Sequence, residues 1–196
     1  MFLSCLLMKK RAFKTEPAQL LSSLENIYQL KTLSRSGWVQ SGFPVEKVES
    51  IASHSYGMAM LVLYLEPELQ VQGIDVDRAL RMALIHDTAE SITGDITPAD
   101  GVLLDDKFSA ESEAITTIYK QLGNGNRFRE LWDEFENGQS QEAQLVKRID
   151  KLDMLVQAYF YEKAFKIRLD SFWEGMDALF ADSESEPLYI HMRNKR

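Results

Sequence analysis

The chain has 196 residues, of which 45% are hydrophobic and 27% charged, and its formal net charge is −8. This length suits one domain of ordinary size, and the composition excludes a fibrous or fully disordered chain. The acidic balance argues against a protein that coats nucleic acid, because the phosphate backbone would repel it, although it leaves room for one basic pocket.

The first residues form a short apolar run, MFLSCLLM, followed by a basic KKR segment. A secretory signal has the opposite order, with positive charge before its apolar segment. We therefore expect residues 1–14 to be a frayed N-terminus, or translation to start at Met8. No apolar run reaches the length of a membrane span. The single cysteine, Cys5, cannot form an intrachain disulfide, which suits a cytoplasmic protein.

Apolar residues recur at helical spacing almost throughout, which predicts an all-α protein with one domain of about six to seven helices over residues 15–181. A first helix should begin behind Thr15 as its cap. A loop with two glycines follows over residues 34–44. The next helix should run over about residues 48–65, with His54 on its apolar stripe.

A third helix should begin at Asp75 or Asp77, either of which can cap it, and should continue to Gly94. This arrangement would place His86 and Asp87 in the second half of the helix. A polar turn with the sequence GDITPAD then follows directly.

Four more helices are predicted over about residues 106–122, 127–136, 140–165 and 168–180. The longest of them carries Asp150 near its middle. The last fifteen residues, 182–196, are polar, and we expect them to form a loose tail. We assign no role to His191 in that segment.

Three of the predicted helices supply side chains of the kind that bind metal ions: His54, His86 with Asp87, and Asp150. Two imidazoles and two carboxylates suit a divalent ion of intermediate hardness, such as Mn, Co, Mg, Zn or Fe. Four such ligands would leave two positions of an octahedral ion for water and a phosphate oxygen. Each residue alone is explained as well by a core histidine or a solvated aspartate, so the prediction rests on their combination.

This order of ligands on successive helices resembles the HD superfamily of metal-dependent phosphohydrolases. Five segments resemble its 5′-deoxynucleotidase branch, which includes the HD-domain-containing protein 2 group. These segments are residues 33–38 (LSRSGW), 53–55 (SHS), 83–90 (ALIHDTAE), 94–100 (GDITPAD) and 147–151 (KRIDK). The resemblance covers roughly residues 30–163, and it implies an all-α HD domain.

The resemblance also implies a role for each site residue. The metal ligands would be His54, His86, Asp87 and Asp150. Glu90 would work beside the metal in proton transfer, and Asp95 would lie near the leaving group as a general acid. Alternatively, these two carboxylates would bind a second metal ion. Arg35 would hold the phosphate as a charged fork, and Trp38 would pack against the sugar or base.

Simpler explanations stay open for these accessory residues. Glu90 suits a surface helix position, Asp95 suits a turn, Arg35 suits a salt bridge in a loop, and Trp38 suits the core. Two residues separate Arg35 from Trp38, whereas the bacterial deoxyribonucleoside 5′-monophosphatase of the same branch has its Arg and Trp adjacent. The deoxyribose preference of that enzyme therefore does not transfer directly to this chain.

The function implied by the resemblance is hydrolysis of (deoxy)ribonucleoside 5′-monophosphates to nucleoside and phosphate. Another HD phosphohydrolase, such as a cyclic-nucleotide phosphodiesterase, or a module that senses a nucleotide without turnover, stays open. A nucleoside triphosphate triphosphohydrolase would need a longer chain, and a di-iron oxygenase would need more histidines than His191 can add. The resemblance further implies a homodimer with a small-molecule nucleotide substrate. The acidic charge and the lack of a long apolar run predict neither a nucleic-acid polymer nor a membrane as partner.

Overall fold

The computed structural model describes residues 15–196, so the expected frayed segment at 1–14 lies outside the described residues. The described part of the chain forms helices and no β-strand, apart from an isolated bridge between Ser34 and Ser50. No helix in this part combines the length and the apolar character that a bilayer crossing requires. The α-helices are α1 (Pro17–Gln29), α2 (Ser36–Gln40), α3 (Ile51–Tyr64), α4 (Glu66–Val71), α5 (Val76–Ile85), α6 (Glu90–Thr93), α7 (Leu104–Tyr119), α8 (Gly125–Asn137), α9 (Gln141–Phe165), α10 (Asp170–Trp173), α11 (Asp177–Phe180) and α12 (Glu186–Lys195).

The all-α prediction is confirmed, although the helices are shorter and more numerous than the six to seven expected. One of them, α2, lies within the predicted loop at 34–44. Two short 3₁₀ turns, Val45–Lys47 and Pro98–Asp100, complete the regular structure of the described residues.

Helix α9 is the central element, and it packs against α3, α5, α8, α10 and α12. It begins where the sequence predicts, because the Ser140 hydroxyl accepts a hydrogen bond from the backbone N–H of Ala143 and caps the helix. Burial of its inward side chains removes apolar surface from water and holds the surrounding helices together. These fully buried side chains include Val146, Ile149, Leu152 and Leu155.

Helices α3 and α5 pack against each other and against α9, so three helices enclose one part of the core. A side chain caps the start of each of these two helices. At the start of α3 the Ser50 hydroxyl accepts a hydrogen bond from the backbone N–H of Ser53. Asp75 accepts from the backbone N–H of Arg78 at the start of α5, so Asp75 rather than Asp77 is the cap. The buried side chains contributed by α3 and α5 include Met58, Val62, Ala79 and Met82.

The prediction of one continuous helix up to Gly94 is wrong. Helix α5 ends at Ile85, and a four-residue turn containing His86 and Asp87 separates it from α6. Thr88 supplies a physical reason, since its hydroxyl donates to the carbonyl of Ile85 at 2.7 Å and competes with helical backbone bonding. The two candidate ligands therefore lie in a turn and not on a helix.

Two further helix predictions need correction. Thr15 does not cap α1, because its hydroxyl accepts a hydrogen bond from the backbone N–H of Gly123 and Glu16 holds the cap position. The single helix predicted over residues 168–180 is divided into α10 and α11. Gly175 lies between them with a φ of 75°, a left-handed conformation that glycine adopts without strain.

The segment after residue 181 is not a loose tail but contains α12. Tyr189 and Met192 are buried, and they lie three residues apart on one face of this helix. The Tyr189 ring stacks on Phe180 at a centroid distance of 4.7 Å, and its hydroxyl donates to Asp177 at 2.7 Å. The polar composition of the segment hid these two apolar positions. His191 lies on the exposed side of α12.

Candidate metal centre

The four predicted metal ligands meet where α3, α9 and the turn after α5 come together. Nε2 of His54, on α3, lies 3.2 Å from Oδ1 of Asp150 on α9 and 3.7 Å from Oδ2 of Asp87. Nε2 of His86 lies 3.0 Å from the same oxygen of Asp87, and the two imidazole centroids are 5.5 Å apart. Tertiary packing thus brings side chains from three segments of the chain to one point.

The second ring nitrogen of each histidine fixes which nitrogen faces this point. Nδ1 of His54 donates to Oδ2 of Asp153 at 2.8 Å, and Nδ1 of His86 donates to the carbonyl of Ala83 at 2.9 Å. Because these partners accept hydrogen bonds, each ring in its neutral form carries its proton on Nδ1 and presents a lone pair from Nε2.

Both Nε2 atoms are buried without a hydrogen-bond partner among residues 15–196, although carboxylate oxygens lie close to them. A lone pair that faces a carboxylate oxygen is repelled unless a proton or a cation lies between the two. The residues present therefore fit a divalent ion, because His54, His86 and Asp87 offer ligand atoms that all lie within 4.8 Å of one another. Asp150 lies beside His54 and is the fourth candidate ligand.

The charge balance of this site favours a bound cation. Burial alone would lower the pKa of His54, but the carboxylates of Asp150 and Asp153 outweigh it and raise the pKa to about 10, so without an ion the imidazole would carry a second proton. Burial raises the pKa of Asp87, yet the attraction of His86 and Arg35 overcomes it and holds that pKa below its ordinary value. The carboxylates thus stay ionised and attract positive charge. A divalent ion would replace the proton on Nε2 of His54.

Asp153 and Gly57 complete the site, and neither was singled out from the sequence. Gly57 makes room for Asp153, because a Cβ atom at position 57 would lie 2.2 Å from Oδ1 of that aspartate. A sequence signal existed, since Asp153 follows Asp150 by three residues and so shares its helix face. Without a partner for the His54 imidazole in view, that signal could not be interpreted.

Replacing Gly57 by Ala should push the Asp153 carboxylate away from Nδ1 of His54. We expect metal affinity to fall by about 10- to 100-fold, as for other losses of a partner that orients a metal-bound histidine. Isothermal titration calorimetry of metal-stripped protein measures this change. In an Asp153→Ala background the same substitution should add little further loss. Tyr56→Ala, at a neighbouring exposed position of α3, is the matched control.

A cavity of about 620 Å³ opens beside the candidate metal centre, and its size lies in the range that small-molecule ligands occupy. Arg35 lines it and donates to Oδ2 of Asp87 at 3.2 Å, while its other terminal nitrogen lies 3.9 Å from Asp150. Burial lowers the pKa of Arg35, but the charges of Asp87 and Asp150 outweigh burial and raise the pKa above its ordinary value, so the guanidinium stays charged. The planar guanidinium therefore lies beside the carboxylates of the candidate metal centre, and a phosphate in the cavity could reach it.

Glu90 and Asp95 both line this cavity. Glu90 begins α6, is 4% exposed, and has one carboxyl oxygen without a hydrogen-bond partner in the described part of the chain. Burial and the charges of Asp87 and Asp95 raise the pKa of Glu90 well above its ordinary value. Asp95 accepts a hydrogen bond from the backbone N–H of Ser36 at 2.6 Å, which joins its turn to the start of α2.

Trp38 is mainly a core residue. It is 2% exposed, and its indole N–H donates to Glu49 at 2.9 Å. Its ring stacks on Phe172 at a centroid distance of 4.5 Å and meets the edge of Tyr161. The residue still contributes to the cavity wall, so a contact with substrate stays a prediction.

Helices α7 and α8 form a side of the cavity that the sequence did not predict. Lys107 and Glu111 come from α7, and Phe135 and Glu136 come from α8. The spacing of four residues between Lys107 and Glu111 predicts an ion pair on one helix face, but it does not indicate that this face borders the metal centre.

Comparison with known proteins agrees with this geometry. The sequence model of the HD domain family matches residues 27–185. A protein of Dictyostelium discoideum named 5′-deoxynucleotidase HDDC2 is 37% identical over 179 residues, covering 86% of this chain and 93% of that protein. The human protein of the same name is 35% identical over 181 residues, covering 90% of this chain and 86% of that protein.

The fold is also found in solved structures. The crystal structure of a protein from Pyrococcus horikoshii OT3 matches with a TM-score of 0.72 at 37% sequence identity, covering 89% of this chain and 96% of that chain. The family model, the relatives and the shared fold cover the same region that brings the candidate ligands together. The chain belongs to the HD domain family.

Proposed function

We propose that the protein is a metal-dependent phosphomonoester hydrolase that converts (deoxy)ribonucleoside 5′-monophosphates to nucleoside and phosphate. One observation carries this proposal: the partnerless Nε2 atoms of His54 and His86 face the carboxylates of Asp87 and Asp150 beside an open cavity. The Dictyostelium and human relatives carry the name 5′-deoxynucleotidase, which supports the choice of substrate.

The proposed metal ligands are His54, His86, Asp87 and Asp150. When bound, a divalent ion such as Mn, Co, Mg, Zn or Fe lowers the pKa of a water nucleophile and polarises the phosphoryl group. Arg35 would bind the equatorial phosphate oxygens, where its charge and planar fork offset developing negative charge. The Arg35 side chain is only 18% exposed, which reduces the competition of bulk water for that contact.

Protonation of the leaving 5′-oxygen would come from Glu90 or Asp95. The raised pKa of Glu90 gives it a proton to donate, and Asp95 keeps one oxygen free after accepting from Ser36. A second divalent ion beside the two carboxylates would instead keep both ionised, so metal stoichiometry distinguishes the two arrangements. Trp38 would contribute its part of the cavity wall to the sugar or base.

The test is phosphate release by metal-stripped protein supplied with each candidate metal in turn. The substrates are ribo- and deoxyribonucleoside 5′-monophosphates, with 3′,5′-cyclic nucleotides beside them. We expect metal-dependent release from the monophosphates, and the ratio of deoxyribo- to ribonucleotide rates measures the sugar preference. Turnover of cyclic nucleotides alone would establish a phosphodiesterase. Nucleotide binding without turnover, from folded metal-loaded protein, would establish a sensing module.

Two further properties belong to this proposal. We propose a homodimer, for which light scattering of the purified protein is the test. We also propose a cytoplasmic location, which the single cysteine supports because the chain has no means of forming an internal disulfide.

A further inference from the structure

Lys107 makes two contacts that the proposed reaction has not used. Its ammonium donates to the backbone carbonyl of Ile96 at 2.9 Å and lies 3.5 Å from Oε1 of Glu111, one turn further along α7. Glu111 is 7% exposed, so this pairing is shielded from water on the carboxylate side. An exposed ion pair of a lysine contributes little to stability, but a shielded, charge-assisted hydrogen bond to a backbone carbonyl fixes the position of that carbonyl.

The carbonyl that Lys107 holds belongs to the residue that follows Asp95. On its other side the Asp95 carboxylate accepts from the backbone N–H of Ser36 at 2.6 Å. The turn that carries Asp95 is therefore fixed from two directions, by α7 through Lys107 and by the start of α2 through Ser36. Gly94, which precedes the turn, has a φ of 74°, a conformation that glycine adopts without strain. As a glycine it has no side chain that could hold the turn in place.

We propose that Lys107 is a positioning residue for Asp95: its ammonium fixes the Ile96 carbonyl, and Glu111 fixes the ammonium. This inference rests on the proposed function to the extent that Asp95 assists the leaving group. Lys107 also borders the cavity, and the Ile96 carbonyl and Glu111 are the partners of its ammonium, which has three N–H donors.

The charge environment agrees with this role. Burial lowers the pKa of Lys107, but Glu111 and Glu90 outweigh burial and raise it, so the ammonium persists. Burial raises the pKa of Glu111 to about 7, with Lys107 opposing that rise. Asp87 and Asp95 also face Lys107 and favour its charged form.

Kinetics of Lys107→Met, Lys107→Arg and the matched control Lys120→Met provide the test. Lys120 lies exposed at the other end of α7. On a nucleoside 5′-monophosphate, Lys107→Met should lower kcat by about 10- to 100-fold, the size expected of a misplaced catalytic group, with little change in KM. Lys107→Arg should recover to within about threefold of the wild type, because it restores a charged donor.

The leaving group distinguishes positioning from other roles. On p-nitrophenyl phosphate, whose leaving group needs little protonation, Lys107→Met should lose less than about threefold in kcat. An equal loss on both substrates would overturn the proposal in favour of a structural role. A rise in KM with unchanged kcat would overturn it in favour of direct phosphate binding.

Amide hydrogen exchange tests the same contact without any activity. In Lys107→Met the backbone N–H of Ser36, which is bonded to Asp95, should exchange at least about tenfold faster, whereas Lys120→Met should leave it unchanged. Unchanged Ser36 exchange in Lys107→Met would overturn the positioning role. A wild-type protein that releases no phosphate would contradict the proposed function alone, since the exchange measurement would still test the contact between Lys107 and the Ile96 carbonyl.

Discussion

Replacing Asp87 by Ala should reduce metal-dependent phosphate release by at least about 10³-fold, because a centre that loses its ion forfeits several kcal/mol of transition-state stabilisation. One oxygen of Asp87 lies within 3.0–3.7 Å of Nε2 of both histidines and accepts from Arg35. Its removal therefore takes a ligand from the ion and an anchor from Arg35 together. Phosphate release and calorimetric metal affinity should both fall.

Asp77→Ala provides the matched control for this variant. Asp77 is an exposed aspartate in the first turn of α5, the helix that precedes the turn with Asp87, and it is not among the residues that line the cavity. We expect the control to keep both activity and metal affinity. If Asp87→Ala folds and still binds and turns over as the wild type does, Asp87 is not a ligand and the assignment of the centre fails.

Replacing Arg35 by Met should separate catalysis from metal binding. We expect phosphate release to fall by about 10²–10³-fold, the usual loss when a donor aimed at developing charge is removed. Metal affinity should move the other way and become several-fold tighter. Arg35 places positive charge 3.2 Å from Asp87 and 3.9 Å from Asp150, where it repels the ion that these carboxylates attract.

Arg35→Lys is the informative partner of this variant. It keeps the positive charge, so metal affinity should stay near the wild-type value, but it loses the planar fork that matches phosphate. Activity should therefore stay well below that of the wild type. Equal losses of metal affinity and activity in Arg35→Met would contradict the phosphate role and make Arg35 a structural support of the ligands.

The sequence was sufficient to predict the helical class, the central helix, and the four candidate ligands that the fold brings together. Those predictions rest on local signals: apolar spacing, a serine cap at Ser140, and metal-type side chains on apolar faces. The break before His86 was not predictable from spacing, and the Thr88 hydroxyl that bonds the Ile85 carbonyl there is a contact that spacing does not show. Composition also misjudged α12, whose core-facing side holds few apolar residues: Tyr189 and Met192 are buried and Leu188 is partly buried.

The parts of the site that escaped prediction depend on contacts between distant segments. Gly57 looks like an ordinary small residue in α3 until Asp153 packs over it. Lys107 looks like a surface lysine until the Ile96 carbonyl is placed beside it. Spacing along a helix shows which residues share a face, but the partner of that face follows only from tertiary packing.

The turn between α5 and α6 affects the affinity of the centre for an ion. His86 and Asp87 are consecutive residues of a segment whose backbone is already fixed by Thr88 bonding to the carbonyl of Ile85. The two side chains thus form a chelating pair whose conformational entropy is largely lost on folding, before any ion arrives. The ion then has to engage only His54 and Asp150 as separate ligands. Thr88 would in this way strengthen the binding of an ion that it does not touch.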